Sequence, residues 1–130
     1  MAINYTLSFV VATLFVLVAF FQLLLSLGYP LGEFAMGGYY KVLPKKLRIV
    51  STINAIILLF MGVIFLQHTD AIKSFSFLPT NILTCIITVF LGVNTIANLI
   101  SRSKKERFVM TPLSGITFIL CLIIVLHKVN

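Results

Sequence analysis

Apolar residues fill four long stretches of this chain, and its charges are gathered into the gaps between them. From Met1 to Gly32 no side chain is charged, and the apolar run from about Tyr5 to Leu27 exceeds the roughly 20 residues that cross a bilayer core. A cleavable leader has a basic start, a shorter apolar run and a small-residue cleavage site. The first run has none of these, so it reads as a retained helix. The second stretch runs from about Leu47 to Leu66, the third from about Phe77 to Ile100 and the fourth from about Phe108 to Leu126. Pro112 falls in the first turn or so of the fourth, where a missing N–H costs least. The pattern predicts an all-α membrane protein, a four-span transmembrane helix bundle forming one domain over 1–130, with an inner loop over 28–46.

Composition agrees: 60% of residues are hydrophobic, 10% are charged, and the mean hydropathy is +1.13. A soluble domain would lack the polar residues to cover its core. Charge then sets the direction. Of ten Lys and Arg residues, four (Lys41, Lys45, Lys46, Arg48) follow the first span and four (Arg102, Lys104, Lys105, Arg107) follow the third. Those two connections share one side of a four-span chain, and the positive-inside rule makes that side cytoplasmic. Both termini are then expected outside. A net charge of +7 in a soluble protein would direct attention to nucleic acid. Here it serves topology and attraction to anionic headgroups, at about 1 kcal/mol per basic residue near the surface. No nucleic-acid partner is expected.

Polar residues inside the spans are unevenly placed. At 1.5 Å rise per residue, Gln22, Asn54, Asn94 and Ser114 fall roughly 6 to 12 Å inside the cytoplasmic boundary, one on each helix. In span three, Thr84, Thr88, Thr95 and Asn98 share a helical stripe with Leu91 in its gap, a stripe expected to face the bundle interior. Two interpretations stand. The amides and hydroxyls are interhelical glue, worth about 0.6 kcal/mol each, or they line a polar pocket open to the cytoplasm.

The inner loop is long for a hairpin between spans. Gly28, Gly32, Gly37, Gly38, Pro30 and Pro44 break any helix there, while Tyr29, Leu31, Phe34, Met36, Tyr39 and Tyr40 are too apolar for a free linker. The loop is expected to lie at headgroup depth or to dip into the bundle mouth. Its one acid, Glu33, is either an exposed carboxylate paired with Lys41 or Lys45, or the acid of a polar mouth near Arg48 and Asn98. It has no second carboxylate, histidine or serine nucleophile near it in sequence.

Two blocks of sequence carry a resemblance. Gly28-Tyr29-Pro30-Leu31-Gly32, Gly37-Gly38, Leu43-Pro44 and Leu47-Arg48 form the first; Asn98, Ser101-Arg102-Ser103 and Glu106-Arg107 form the second. Together they resemble a family of small four-span bacterial integral membrane proteins without an assigned activity. Leu31 and Met36 stand where many of its members carry tryptophan. The resemblance implies a bacterial, multi-pass plasma-membrane protein and implies no reaction. The second block also has a local explanation, since Ser103 and Glu106 have capping-box spacing and an acid at a helix N-terminus is favoured by the dipole.

Other chemistry is thin. Cys85 and Cys121 lie in the outer halves of spans three and four and read as small core hydrophobes or, less simply, a disulfide pair. His68, Asp70 and His127 fall at outer span ends and read as surface residues, so no metal is expected; no cofactor motif is present either. Small four-span exporters that trade protons for cations need an ionisable residue within the membrane, and no span has one deep inside. The candidate binding residues are Gln22, Glu33, Arg48, Asn54, Asn94, Asn98 and Arg107, with Arg48 and Arg107 as forks for lipid phosphate. The leading function is a non-enzymatic membrane protein engaging anionic membrane lipids, a partner membrane protein or a further copy of itself at the cytoplasmic face. A small transporter or channel subunit using the amide pocket is the alternative. A lipid-modifying enzyme using Glu33 comes third.

Overall fold

The computed structural model describes residues 2–35, 38–72 and 77–129, and side chains within 5–127 of these. Met36, Gly37 and Lys73, and the side chain of Lys128, lie outside the described residues. Four helices form the molecule: α1 (Ala2–Ser26), α2 (Lys45–His68), α3 (Thr80–Leu99) and α4 (Thr111–Val129), the last preceded by a π-helical turn over Glu106–Met110. Each is long and apolar enough to cross a membrane. This is a multi-pass membrane protein.

The outward faces show why. Leu17, Phe20, Ile56, Val89, Ile96 and Ile119 are more than half exposed although all are strongly apolar. In water that surface would be prohibitive, whereas in hydrocarbon it is the correct solvent match. Inside, Val11 and Phe15 of α1, Met61, Ile64 and Phe65 of α2, Ile87 and Leu91 of α3, and Cys121 and Ile124 of α4 form the main core. The Phe15 and Phe65 rings meet at 6.2 Å between centroids. The α1–α2 pair is close because Gly62 faces Ala12, whose Cα would lie 3.7 Å from a Cβ at Gly62. Small residues of this kind let membrane helices approach.

The predicted stripe on α3 does face inward: Thr84, Thr88 and Leu91 are buried. Their hydroxyls need no partner helix. Thr84 and Thr88 donate to the carbonyls of Thr80 and Thr84, both at 2.7 Å, and Thr95 donates to Leu91 at 2.8 Å. Bonding back to the preceding turn buries threonine in a membrane helix without an unsatisfied donor.

The two ends of the bundle differ. At one end α1 begins, α2 ends and α3 begins: Thr69 donates to Ser8 Oγ at 2.7 Å, and His68 Nδ1 lies 3.1 Å from Thr80 Oγ1. His68 is therefore buried, at 3% exposure, where the sequence reading had it on the surface. The reason is that α2 runs past the expected Leu66 and carries His68 into the α2–α3 junction. Asp70 and His127 are exposed. Cys85 is exposed, Cys121 is buried, and both are free thiols.

At the other end sit both basic clusters. Leu25, Ala35 and Leu43 form a second, smaller core there, with Phe21, Leu31 and Leu47 packed on it. The fourth helix also departs from its sequence reading. Lys104 and Lys105 are already helical, so Pro112 sits well inside the helical segment instead of in its first turn. Proline lacks the N–H of a regular turn, and its ring crowds the carbonyl four residues back, here that of Phe108. The wide π turn directly before Thr111 accommodates both demands.

Candidate functional site

A cavity of about 410 Å³ lies within the basic half of the bundle. Every helix contributes to its wall, and so does the loop after α1. Its floor is apolar, built from Phe15, Leu58, Met61 and Leu91 next to the main core. Its upper wall is polar: Gln22 from α1, Asn54 from α2, Asn94 and Asn98 from α3, Ser101 beyond it, Glu106 from the π turn, and Ser114 and Thr117 from α4. Three lining residues are exposed, Ile57, Phe90 and Ala97, and all belong to α2 and α3. The exposed part of the lining thus belongs to α2 and α3.

The polar groups fall into two kinds. Some are engaged within the protein. Asn98 Nδ2 donates to Ser114 Oγ at 3.0 Å, and Ser114 donates to the Met110 carbonyl at 2.8 Å. Thr117 donates back to Leu113 at 2.8 Å. Ser51 Oγ lies 2.6 Å from both the Gln22 carbonyl and the Gln22 side-chain oxygen. The Gln22 amide thus presents its oxygen to Ser51, whose hydroxyl is the donor. The other kind have no hydrogen-bond partner among the described residues: the amides of Asn54 and Asn94 and the carboxylate of Glu106. Asn54 and Asn94 are half-buried and Glu106 is buried, so three polar side chains on one cavity wall are left to meet whatever fills the cavity.

Glu106 was missed as a site residue. Its spacing from Ser103 reads as a capping box, and half of one is present: the Glu106 N–H donates to Ser103 Oγ at 3.3 Å. The reciprocal bond is absent because the Ser103 N–H donates to Ser101 Oγ at 3.2 Å instead. The carboxylate, released from capping, is buried at 6% exposure on the cavity wall. Glu106 is the first residue of the fourth candidate span, at its end and not deep within it. The available signal was the Ser101-x-Ser103 pair, which supplies a competing acceptor for the cap.

Of the residues predicted from sequence, Gln22, Asn54, Asn94 and Asn98 come together on this wall; Glu33, Arg48 and Arg107 do not line it. Arg48 Nε donates to the Leu43 carbonyl at 2.8 Å and its guanidinium packs beside Gly28, whose φ of +95° suits glycine. Arg107 donates to the Ser101 carbonyl at 3.1 Å and lies over the Phe108 ring. Both arginines fasten loops. Glu33 pairs with Lys105 at 2.6 Å, not with Lys41 or Lys45. The Lys105 hydrogen bond and charge hold its carboxyl below the ordinary carboxylate range, with Lys41 adding a smaller push the same way.

The loop after α1 forms the roof. It folds through a 3-10 turn at Gly32–Phe34, with the Gly32 N–H donating to Lys41 O at 2.8 Å. Phe34 and Ala35 reach the cavity, and the Phe34 ring stands edge-on to Phe21 at 6.3 Å. The second loop clasps it: Ser103 donates to the Glu33 carbonyl, and Arg102 lies 4.6 Å over the Tyr39 ring.

No protein-family model, curated protein or solved structure matches the chain.

Proposed function

We propose that this chain is a small membrane transporter or transporter subunit that binds one amphipathic small molecule within its helix bundle. The observation that carries this reading is the wall of Asn54, Asn94 and Glu106, three polar side chains without a hydrogen-bond partner among the described residues, set above an apolar floor in a cavity of about 410 Å³. Pockets of that size and mixed lining are typical of small-molecule sites. Pure interhelical glue would have closed these groups on one another, as Asn98 and Ser114 do. The exposed lining residues Ile57, Phe90 and Ala97, all apolar, suit the apolar part of such a molecule. In this reading the membrane is a bacterial plasma membrane, the basic end is cytoplasmic, and the protein belongs with the small four-span membrane proteins that its two sequence blocks resemble.

Binding of anionic lipid or a partner at the basic face is the second reading. It rests on the exposure of Lys41, Lys45, Lys46, Arg102 and Lys104 at one end, beside exposed Tyr39 and Tyr40. The two roles are compatible, but a basic surface alone does not account for the cavity.

The test is Asn94→Phe in purified protein reconstituted into nanodiscs. Filling the cavity should abolish saturable binding of small amphipathic probes while helicity and melting temperature stay near native. Unchanged binding in that variant would remove the cavity from the function.

A further inference from the structure

The cavity has one charged lining residue, and it is an acid. The geometry points to an organic cation as the occupant: an ammonium or amidinium head seated at Glu106, with an apolar body on the floor formed by Phe15, Met61 and Leu91. This inference rests on the transporter reading and names the substrate class of the same cavity.

The argument begins with what surrounds Glu106. The chain carries ten Lys and Arg residues against three acids, so a random cavity at its basic end would be lined by cations. None of those among the described residues lines this one. Each basic group near the acid is directed elsewhere. Arg107, its chain neighbour, is held on the Ser101 carbonyl and the Phe108 ring. Lys105 is paired with Glu33 and sits 5.7 Å from the Phe34 ring. Arg48 is fixed to the Leu43 carbonyl across the bundle. The Lys105–Glu33 pair is the one salt bridge among the described residues.

Glu106 has no ion-pair partner among the described residues, so a cation brought into the cavity would find its carboxylate unneutralised. The neighbours of Glu106 on the wall suit a donor-bearing head. Asn98 gives its NH2 to Ser114, which leaves its carbonyl oxygen as the free end. That acceptor beside a carboxylate matches N–H donors. Phe21 and Phe34 add ring faces of the kind that attract cations. The apolar floor, with Ile57 and Phe90 also in the lining, favours an apolar body for the rest of the molecule.

Three probes with one skeleton and different charge decide the matter: phenylbutylammonium, phenylbutanol and phenylbutyrate, titrated by calorimetry into the protein in zwitterionic nanodiscs, with empty nanodiscs as the partition control. The ammonium should bind at least about tenfold tighter than the alcohol, and the butyrate weakest. Glu106→Gln should reduce the ammonium to the affinity of the alcohol and leave the alcohol unchanged. Equal binding of ammonium and alcohol by the native protein, or tightest binding of butyrate, would overturn the cation inference while leaving the cavity as a site. Saturable binding of none of the three, or the same binding in Asn94→Phe, would remove the transporter reading itself. Because the native ranking needs no variant, failure of Glu106→Gln to fold would not protect the inference.

Discussion

Asn98 donates to Ser114 across the α3–α4 interface at 3.0 Å, and Ser114 passes the bond on to the Met110 carbonyl at 2.8 Å. This short relay joins α3 to the turn that carries Glu106. Like the Ser51–Gln22 bond between α2 and α1, it closes polar side chains of two helices on each other at the cavity wall. A double-mutant cycle of Asn98→Leu and Ser114→Ala should give a coupling near the membrane average of about 0.6 kcal/mol and below about 1.7 kcal/mol. Reversible unfolding in mixed micelles measures it; a coupling near zero would dismiss the relay.

The roof makes its own demand on sequence. A Cβ at Gly32 would stand 1.9 Å from the Tyr40 carbonyl oxygen, a collision with backbone that no rotamer relieves. Gly38 combines a φ of +74° with a Cβ position 2.4 Å from Ser103 Cβ. Gly32→Ala should therefore lower stability by roughly 1–3 kcal/mol, whereas Leu27→Ala, on an exposed side chain, should change it by less than about 0.5 kcal/mol. Thermal melting of the two variants side by side makes the comparison.

The ion pair across the two loops predicts a pH effect of definite sign. Glu33 titrates lower in the folded protein than its ordinary value of 4.5, chiefly through Lys105. A depressed carboxyl stabilises the folded state above that ordinary value and loses its contribution as pH falls through the lowered one. Both partners are solvent-exposed, so the effect is small. Melting temperature should fall slightly more steeply below pH 4.5 in the native protein than in Lys105→Gln. Parallel curves for the two proteins would show that the pair has no energetic weight.

How far the sequence revealed these features depends on the length scale of the cause. The spans were legible because each needs only a long apolar run, and the inward stripe of Thr84, Thr88 and Leu91 because helical periodicity alone sets it. That Gln22, Asn54, Asn94 and Ser114, one from each helix, line one cavity was legible for the same reason, since rise per residue converts position into depth. The pairing of Glu33 with Lys105 was not, because it joins loops 72 positions apart and nearer lysines competed for the same acid. Glu106 was hidden by a local rule that half applied. Its cap is made through the backbone, and only the competing Ser101–Ser103 bond frees the side chain.

Orientation is open to direct test. Cysteines introduced at Lys41 and Lys104 should be shielded from an impermeant thiol reagent in intact cells, and one at Asp70 should be labelled once Cys85 and Cys121 are replaced by serine or alanine. The expectation follows from eight of ten basic residues lying in the two loops of one end. Labelling at Lys41 with protection at Asp70 would invert the molecule and place the cavity in the outer half.

Pro112 provides the sharpest link between backbone and site. The π turn over Glu106–Met110 ends just before it, and that turn sets the angle at which Glu106 meets the rest of α4. With alanine at 112 the N–H returns and the ring no longer crowds the Phe108 carbonyl, so the segment is free to take the regular α repeat. A π turn holds one residue more than an α turn, and its loss rotates the preceding residues by ~100° about the helix axis. That rotation would carry Glu106 away from the cavity, while Ser114 and Thr117, beyond the proline, would keep their places. Pro112→Ala should therefore leave the protein as stable as the native or more so, since proline in a helix interior costs ~3 kcal/mol where no π turn relieves it. It should nevertheless weaken binding of a cationic probe about as much as Glu106→Gln does. Melting temperature and calorimetry on the same preparation separate the two effects. A variant that is unchanged in both would show that the π turn is set by the Glu33–Ser103 clasp on the neighbouring loop and not by the proline.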